Sequence, residues 1–348
     1  MMPLRSELLL VYEPEAVCRA GLAAEGFSQR AIVEISSYLA QSTDIAPEFP
    51  QIVTQCERRG IAFRPVELDD AAAVLPTADP ARTLVWTLTD GITYFRGSAA
   101  PGLARLNGLR TLGADDATFA LCQDKFRSGA VLAALGAPVP AAGLARDGRW
   151  VVMPPAAPGG WFVKPNRLGA KIGIWPDSRC ATEAQALELS RRIFAAYRDD
   201  AIVQAYVPGR NVRASLLDVT GREGVGALEA WSVDSGADFQ TMEDSLALYG
   251  ETGAAAAATG TQNEPALTPV PADTLAAIRS IAQRLCDGLG LRDVFSMDLR
   301  VEESGRLHLI EFEVCPGLPC FDFRAYLKGR WGMDLATAMA ATAATRLT

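Results

Sequence analysis

The stretch FSMDLRVEESGRLHLIEFEVCPG, residues 295–317, constrains this chain more than any other. Two runs rich in Val, Leu, Ile and Phe, residues 294–301 and 306–314, flank a Glu-Ser-Gly step and read as a β-hairpin. With Ser304-Gly305 as a two-residue loop, Asp298 is expected directly opposite Glu311. Side chains alternate along a strand, so Glu311 and Glu313 share that face, while His308, Ile310, Phe312 and Val314 turn toward a core. Three acids gathered on an apolar hairpin repel one another unless water or a cation answers them. Hard oxygen ligands so spaced suit Mg²⁺. The same alternation also fits a half-exposed sheet that turns its acids to water.

The rest of the chain supplies the frame. At 348 residues it exceeds one ordinary core and predicts two or three domains. SELLLVYE, IAFRPVEL and TLVWTLTDG read as strands, and 31–41 and 49–60 as helices between them, which predicts a parallel α/β layer. Residues 101–113 read as a helix and a short strand, and 116–140 as two helical stretches. WFVKPNRLGAKIGIW (161–175) reads as strand, loop, strand. A Thr-capped helix over 182–200, a strand–turn–strand over 201–219 and a helix from 272 to 287 follow. GETGAAAAATGTQNEPALTP (250–269) has no apolar period and reads as a loop. The net charge of −8 argues against a nucleic-acid partner. No apolar run reaches membrane-spanning length, and Glu7, Glu13 and Glu15 interrupt any leader-like pattern at the start. Seven cysteines without a CxxC pair predict reduced thiols and a cytoplasmic protein.

Lys164 follows an apolar strand and precedes a loop holding Gly169 and Gly173, whose backbone N–H groups are free to approach phosphate oxygens. Alone this also fits an ordinary hairpin with a surface lysine. The order of the pieces adds weight: Asp124-Lys125, KPNRLGAKIGI, IVQAYVPGRNV, then MDLR and IEFEVCPG. This series resembles the ATP-grasp superfamily, and within it the D-alanine–D-alanine ligases and related carboxylate–amine ligases, from about residue 84 onward. The resemblance implies an α/β (α+β) fold of three domains, here 1–122, 123–206 and 207–348. Nucleotide would lie between the second and third. It implies ATP and one or two Mg²⁺ ions, with Mn²⁺ as the alternative. Lys125 and Lys164 would contact phosphates, and Arg167 through Gly173, with Lys171 as a candidate catalytic residue, would cover them. Gln204 and Tyr206 would meet adenine, and Asn211 the ribose. Asp298, Glu311 and Glu313 would hold the metal. The substrates implied are a small carboxylate and a small amine, and the oligomer a homodimer.

The chain departs from those ligases around the substrates. They carry an Arg two residues before the metal Asp, where this chain has Ser296; Arg300, two residues after Asp298, is the candidate substitute. After the Pro-Gly step they carry small hydroxyl residues, where this chain has LPCFDFR, with Asp322 to attract an amine and Arg324 to pair a carboxylate. Segments 165–175 and 236–265 are candidate lids. The expected activity is an ATP-dependent carboxylate–amine ligase acting through an acyl phosphate. The alternatives are an authentic D-alanine–D-alanine ligase and a nucleotide-binding protein without catalysis.

Overall fold

The computed structural model describes residues 6–38, 45–91, 96–234, 236, 238–249 and 265–348. The stretch 250–264, and with it most of the second lid candidate, lies outside the described residues.

Three sheets organise the described residues. The first is parallel: β1 (Ser6–Tyr12), β2 (Ile61–Glu67), β3 (Thr83–Thr87) and β4 (Arg110–Leu112), in the order β2-β1-β3-β4. Helices between the strands form the expected α/β layer. The second sheet is antiparallel: β5 (Ala142–Arg146), β6 (Arg149–Val152), β7 (Trp161–Pro165), β8 (Arg179–Cys180) and β9 (Ala201–Ala205), in the order β6-β5-β9-β7-β8. The helix Glu183–Tyr197 covers it; Thr182 and Gln185 cap that helix reciprocally, satisfying N–H groups that the first turn leaves without partners. The third sheet holds β10 (Arg210–Leu217), β11 (Glu229–Asp234), β12 (Ala266–Pro269), β13 (Val294–Val301) and β14 (Leu307–Glu313), in the order β12-β11-β10-β13-β14.

One apolar cluster joins the first and third sheets: Leu8, Leu10 and Trp86 share it with Met297, Leu299, Phe312 and Met339. A second cluster surrounds the central sheet and includes Cys18, Leu22, Ile32 and Ile35 from two amino-terminal helices, Glu15–Ala24 and Gln29–Tyr38. Those helices therefore pack against the second sheet; the Tyr197 hydroxyl donates to buried Glu34 at the contact.

The hairpin forms, but by another route than a two-residue loop. Glu302 N–H bonds Arg306 O at 3.0 Å, so the loop is the three residues Glu303, Ser304 and Gly305, with Gly305 at φ +83°. This shifts the register by one: Leu299 faces Leu309 and Arg300 faces His308. An irregularity between Asp298 and Leu299 leaves Ile310 unpaired and restores the register, so Asp298 does face Glu311. Ile310 consequently lines the cavity on the acid side instead of entering the core. His308 also leaves the core side; it is half-buried, with Nε2 2.7 Å from Glu302 Oε1. KIGIW is not a strand: Ala170 (φ +48°), Lys171 (+66°) and Gly173 (+68°) turn the chain there.

Candidate active site

The second and third sheets face each other across a cavity of about 310 Å³. Alternation along β13 and β14 brings Asp298, Glu311 and Glu313 to its wall, with oxygen atoms all within 4.8 Å of one another. Lys164, from β7, reaches Glu311 Oε2 at 3.4 Å, and Lys125, opening the helix Lys125–Ala134, reaches the same oxygen at 3.3 Å. Burial alone would raise the Glu311 pKa, but the two ammonium groups outweigh it and hold the carboxyl at about 2. Burial lowers the Lys164 pKa against the pull of Glu311, whereas in Lys125 the acids around it overcome burial and raise it. Burial pushes Glu313 up to about 7, against the pull of Arg213. Three hard oxygen donors converging this closely fit a divalent cation, and these three residues would hold it.

The loop after β7 closes one side. Lys125 Nζ donates to Leu168 O at 2.8 Å, tying it down, and Arg167 N–H donates to buried Asp199 at 2.8 Å. Burial raises the Asp199 carboxyl to about 6 despite that bond and Lys125. Gly169 and Lys171 line the cavity. Gly173 stands just behind: a Cβ there would sit 2.6 Å from Pro165 Cγ and 2.9 Å from the Tyr197 ring, so only glycine fits. The Lys171 carbonyl accepts from Ile174 N–H at 3.0 Å, but its ammonium has no hydrogen bond or ion pair among the described residues, and burial lowers its pKa.

Gln204, Tyr206 and Asn211 line the other end. The Tyr206 ring lies under the Arg179 guanidinium at 4.0 Å, and its hydroxyl donates to Asp238. Arg300 also belongs to this end. It donates to Val207 O (3.1 Å), Asn211 Oδ1 (2.8 Å) and both Asp238 O (2.7 Å) and Oδ1 (2.9 Å). Those bonds hold it away from the acid triad, so it is not placed as the substitute for the missing arginine.

The arginine that does meet the triad is Arg213, which was not singled out from the sequence. β10 pairs with β13 so that Arg213 stands opposite Asp298. Its Nη1 donates to Asp298 Oδ1 at 2.7 Å and its Nη2 to Glu313 Oε2 at 2.6 Å, and Nε lies 3.3 Å from Asp322 Oδ2. The signal was the alternation of GRNVR, but it acquires meaning only once the β10–β13 pairing is known. Asp322 lines the cavity with Cys320 and Phe321 at the start of the helix Phe321–Trp331. Arg324 does not join it, because Glu48 (2.8 Å) and Pro319 O (2.8 Å) engage it.

No family model matches the chain. A putative D-alanine–D-lactate ligase from Streptomyces coelicolor is 24% identical over 264 residues, 74% of this chain and 70% of that one. A D-alanine–D-alanine ligase from Geobacter sulfurreducens is 27% identical over 229 residues, 65% of each chain. Among solved structures, the D-alanine–D-alanine ligase of Bacillus anthracis complexed with ATP superposes with a TM-score of 0.64 at 13% identity, covering 98% of this chain and 97% of that one. The fold is thus ATP-grasp. Within that superfamily, the chain resembles the D-alanine–D-alanine ligases and their relatives in sequence as well as in architecture. Among the described residues no helix is long and apolar enough to cross a membrane.

Proposed function

We propose that this chain is an ATP-dependent ligase that activates an amino-acid-like carboxylate as an acyl phosphate and couples it to an amine. The observation that carries this is the convergence, in one cavity, of the acid triad with Lys125, Lys164 and the glycine-bearing loop. Phosphoryl transfer depends mainly on positioning and charge neutralisation. Lys125 and Lys164 bind the ATP phosphates, and the loop from Arg167 to Gly173 lies over them. Gln204, Tyr206 and Asn211 take the adenine and ribose. Asp298, Glu311 and Glu313 hold Mg²⁺, which when bound neutralises phosphate charge and orients the transferring group. Lys171, a cation with no partner among the described residues at the loop's tip, meets anionic groups of the reactants. Closure of the loop excludes water from a hydrolysable intermediate. The division of labour suggests units 1–122, 123–206 and 207–348, with the nucleotide between the last two.

An authentic D-alanine–D-alanine ligase is the second reading, favoured by the relatives' names. Ser296, and Cys320-Phe321-Asp322 where those ligases place hydroxyl residues, weigh against it. The test is ADP release by the purified chain with Mg-ATP over a panel of amino acids, amines and dipeptides, singly and in pairs. Release that needs one pair supports the ligase and names both substrates. Release with D-alanine alone returns the second reading to the front, and ATP binding without release for any pair refutes both.

A further inference from the structure

Acyl transfer places negative charge on a carbonyl oxygen, and a preorganised donor aimed at that charge is commonly the largest catalytic contribution. Several cations stand around the triad. Lys125 and Lys164 both lie on Glu311 Oε2. Arg300 is bound into the ribose end by Val207, Asn211 and Asp238. The Lys171 ammonium stands on a loop and has no hydrogen bond or ion pair among the described residues. Arg213 projects from the middle of a sheet, lines the cavity, and is fixed by Asp298 and Glu313. Those bonds use two of a guanidinium's five N–H groups. Its Nε is buried and donates to no acceptor, although Asp322 Oδ2 lies 3.3 Å away.

A second observation concerns Ser296. Its hydroxyl donates to Glu313 Oε2 at 3.1 Å, the same oxygen that Arg213 Nη2 reaches at 2.6 Å. Ser296 is fully buried, so a longer side chain there would run into the space the Arg213 guanidinium fills. Positions 213 and 296, on neighbouring strands, therefore deliver a side chain to one point.

We propose that Arg213 is the oxyanion-stabilising catalytic residue of this chain, supplied from β10 instead of from position 296 on β13; the assignment rests on the ligase reading above. The amine's lone pair forms the C–N bond to the acyl phosphate, and the carbonyl π pair moves onto oxygen, where the free N–H groups of Arg213 meet it. That pair then returns, the C–O bond to phosphate breaks, and phosphate leaves with the bonding pair and the amine's proton.

The test uses the full chain with Mg-ATP and a substrate pair that supports ADP release. Arg213→Ser is expected to lower kcat about 10²- to 10³-fold, with Mg–AMP-PNP affinity changed less than about threefold. Ser296→Arg alone crowds the site and lowers the melting temperature. The double variant Arg213→Ser/Ser296→Arg is expected to recover kcat at least tenfold over Arg213→Ser, with kcat moving far more than Mg–AMP-PNP affinity across the variants, a split that an arginine serving only to hold the metal-site acids would not give. Should Arg213→Ser fail to fold, Arg213→Lys keeps the charge and loses the fork, and a kcat drop of about tenfold or more is expected. The proposal is overturned if Arg213→Ser or Arg213→Lys keeps wild-type kcat. It is equally overturned if the double variant, folded and binding Mg–AMP-PNP, is as slow as the single. A wild type that releases no ADP with any pair removes the ligase reading itself; an active wild type with an unaffected arginine variant removes only this assignment.

Discussion

Glu311→Gln isolates one charge at the centre of the site. Glu311 Oε2 faces Lys164 at 3.4 Å and Lys125 at 3.3 Å, and its side chain is 19% exposed. Glutamine keeps the shape and removes the anion. The two lysines hold the carboxyl at about 2 against an ordinary 4.5. At ~1.4 kcal/mol per pH decade that corresponds to about 3 kcal/mol, the lower end of the cost of breaking a buried ion pair, roughly 3–5 kcal/mol. The sign follows from the direction. A carboxyl whose folded pKa is depressed stabilises the fold fully above its unfolded pKa, and the contribution is lost as pH falls from 4.5 through 2. Urea unfolding of both proteins in EDTA should give a wild-type advantage of about 3 kcal/mol at pH 7 that shrinks clearly by pH 3. Acids distant from Glu311 titrate alike in both proteins and cancel in the difference; Glu313, which the Glu311 charge helps to push up, does not. Equal stability at pH 7, or a difference that does not change with pH, would refute the ion-pair account.

Asp199 has the opposite sign. Burial raises its carboxyl to about 6, so the fold loses stability as pH rises from 3.8 to 6. Asp199→Asn, whose amide oxygen can still accept from Arg167 N–H, should gain about 1–3 kcal/mol at pH 7.5 and nothing near pH 3.5, read by thermal melts in EDTA. Gly173→Ala puts a methyl against Pro165 and Tyr197 at positive φ; a loss of about 2 kcal/mol or more and weaker Mg-ATP binding are expected, by denaturation and calorimetry. Lys164→Met should weaken Mg-ATP about 10- to 100-fold; unchanged affinity would remove its phosphate role.

Period-two alternation puts Glu311 and Glu313 on one face whatever the turn does, but bringing Asp298 to that face depends on the register. The loop type was not legible: a three-residue connection and a bulge at Ile310 each move the register by one and cancel, so Asp298 meets Glu311 while His308 and Ile310 change sides. KIGIW has the composition of a strand, and only its positive-φ backbone, a cost borne to close the loop tightly, makes it a turn. Arg213 lies 85 residues from Asp298, and no local pattern announces that β10 and β13 are neighbours. The order of lysines, loop and acids pointed to the fold through its resemblance to the ATP-grasp ligases; Arg300 was misplaced because facing the right side of a sheet does not fix where a long side chain ends.

The most direct test of the account follows one oxygen atom. A donor carboxylate labelled with ¹⁸O is turned over with Mg-ATP and its amine partner, and the released phosphate is examined by mass spectrometry. Activation as an acyl phosphate predicts one ¹⁸O carried from the carboxylate into each phosphate released. Phosphate without label, at a rate matching product formation, would contradict it.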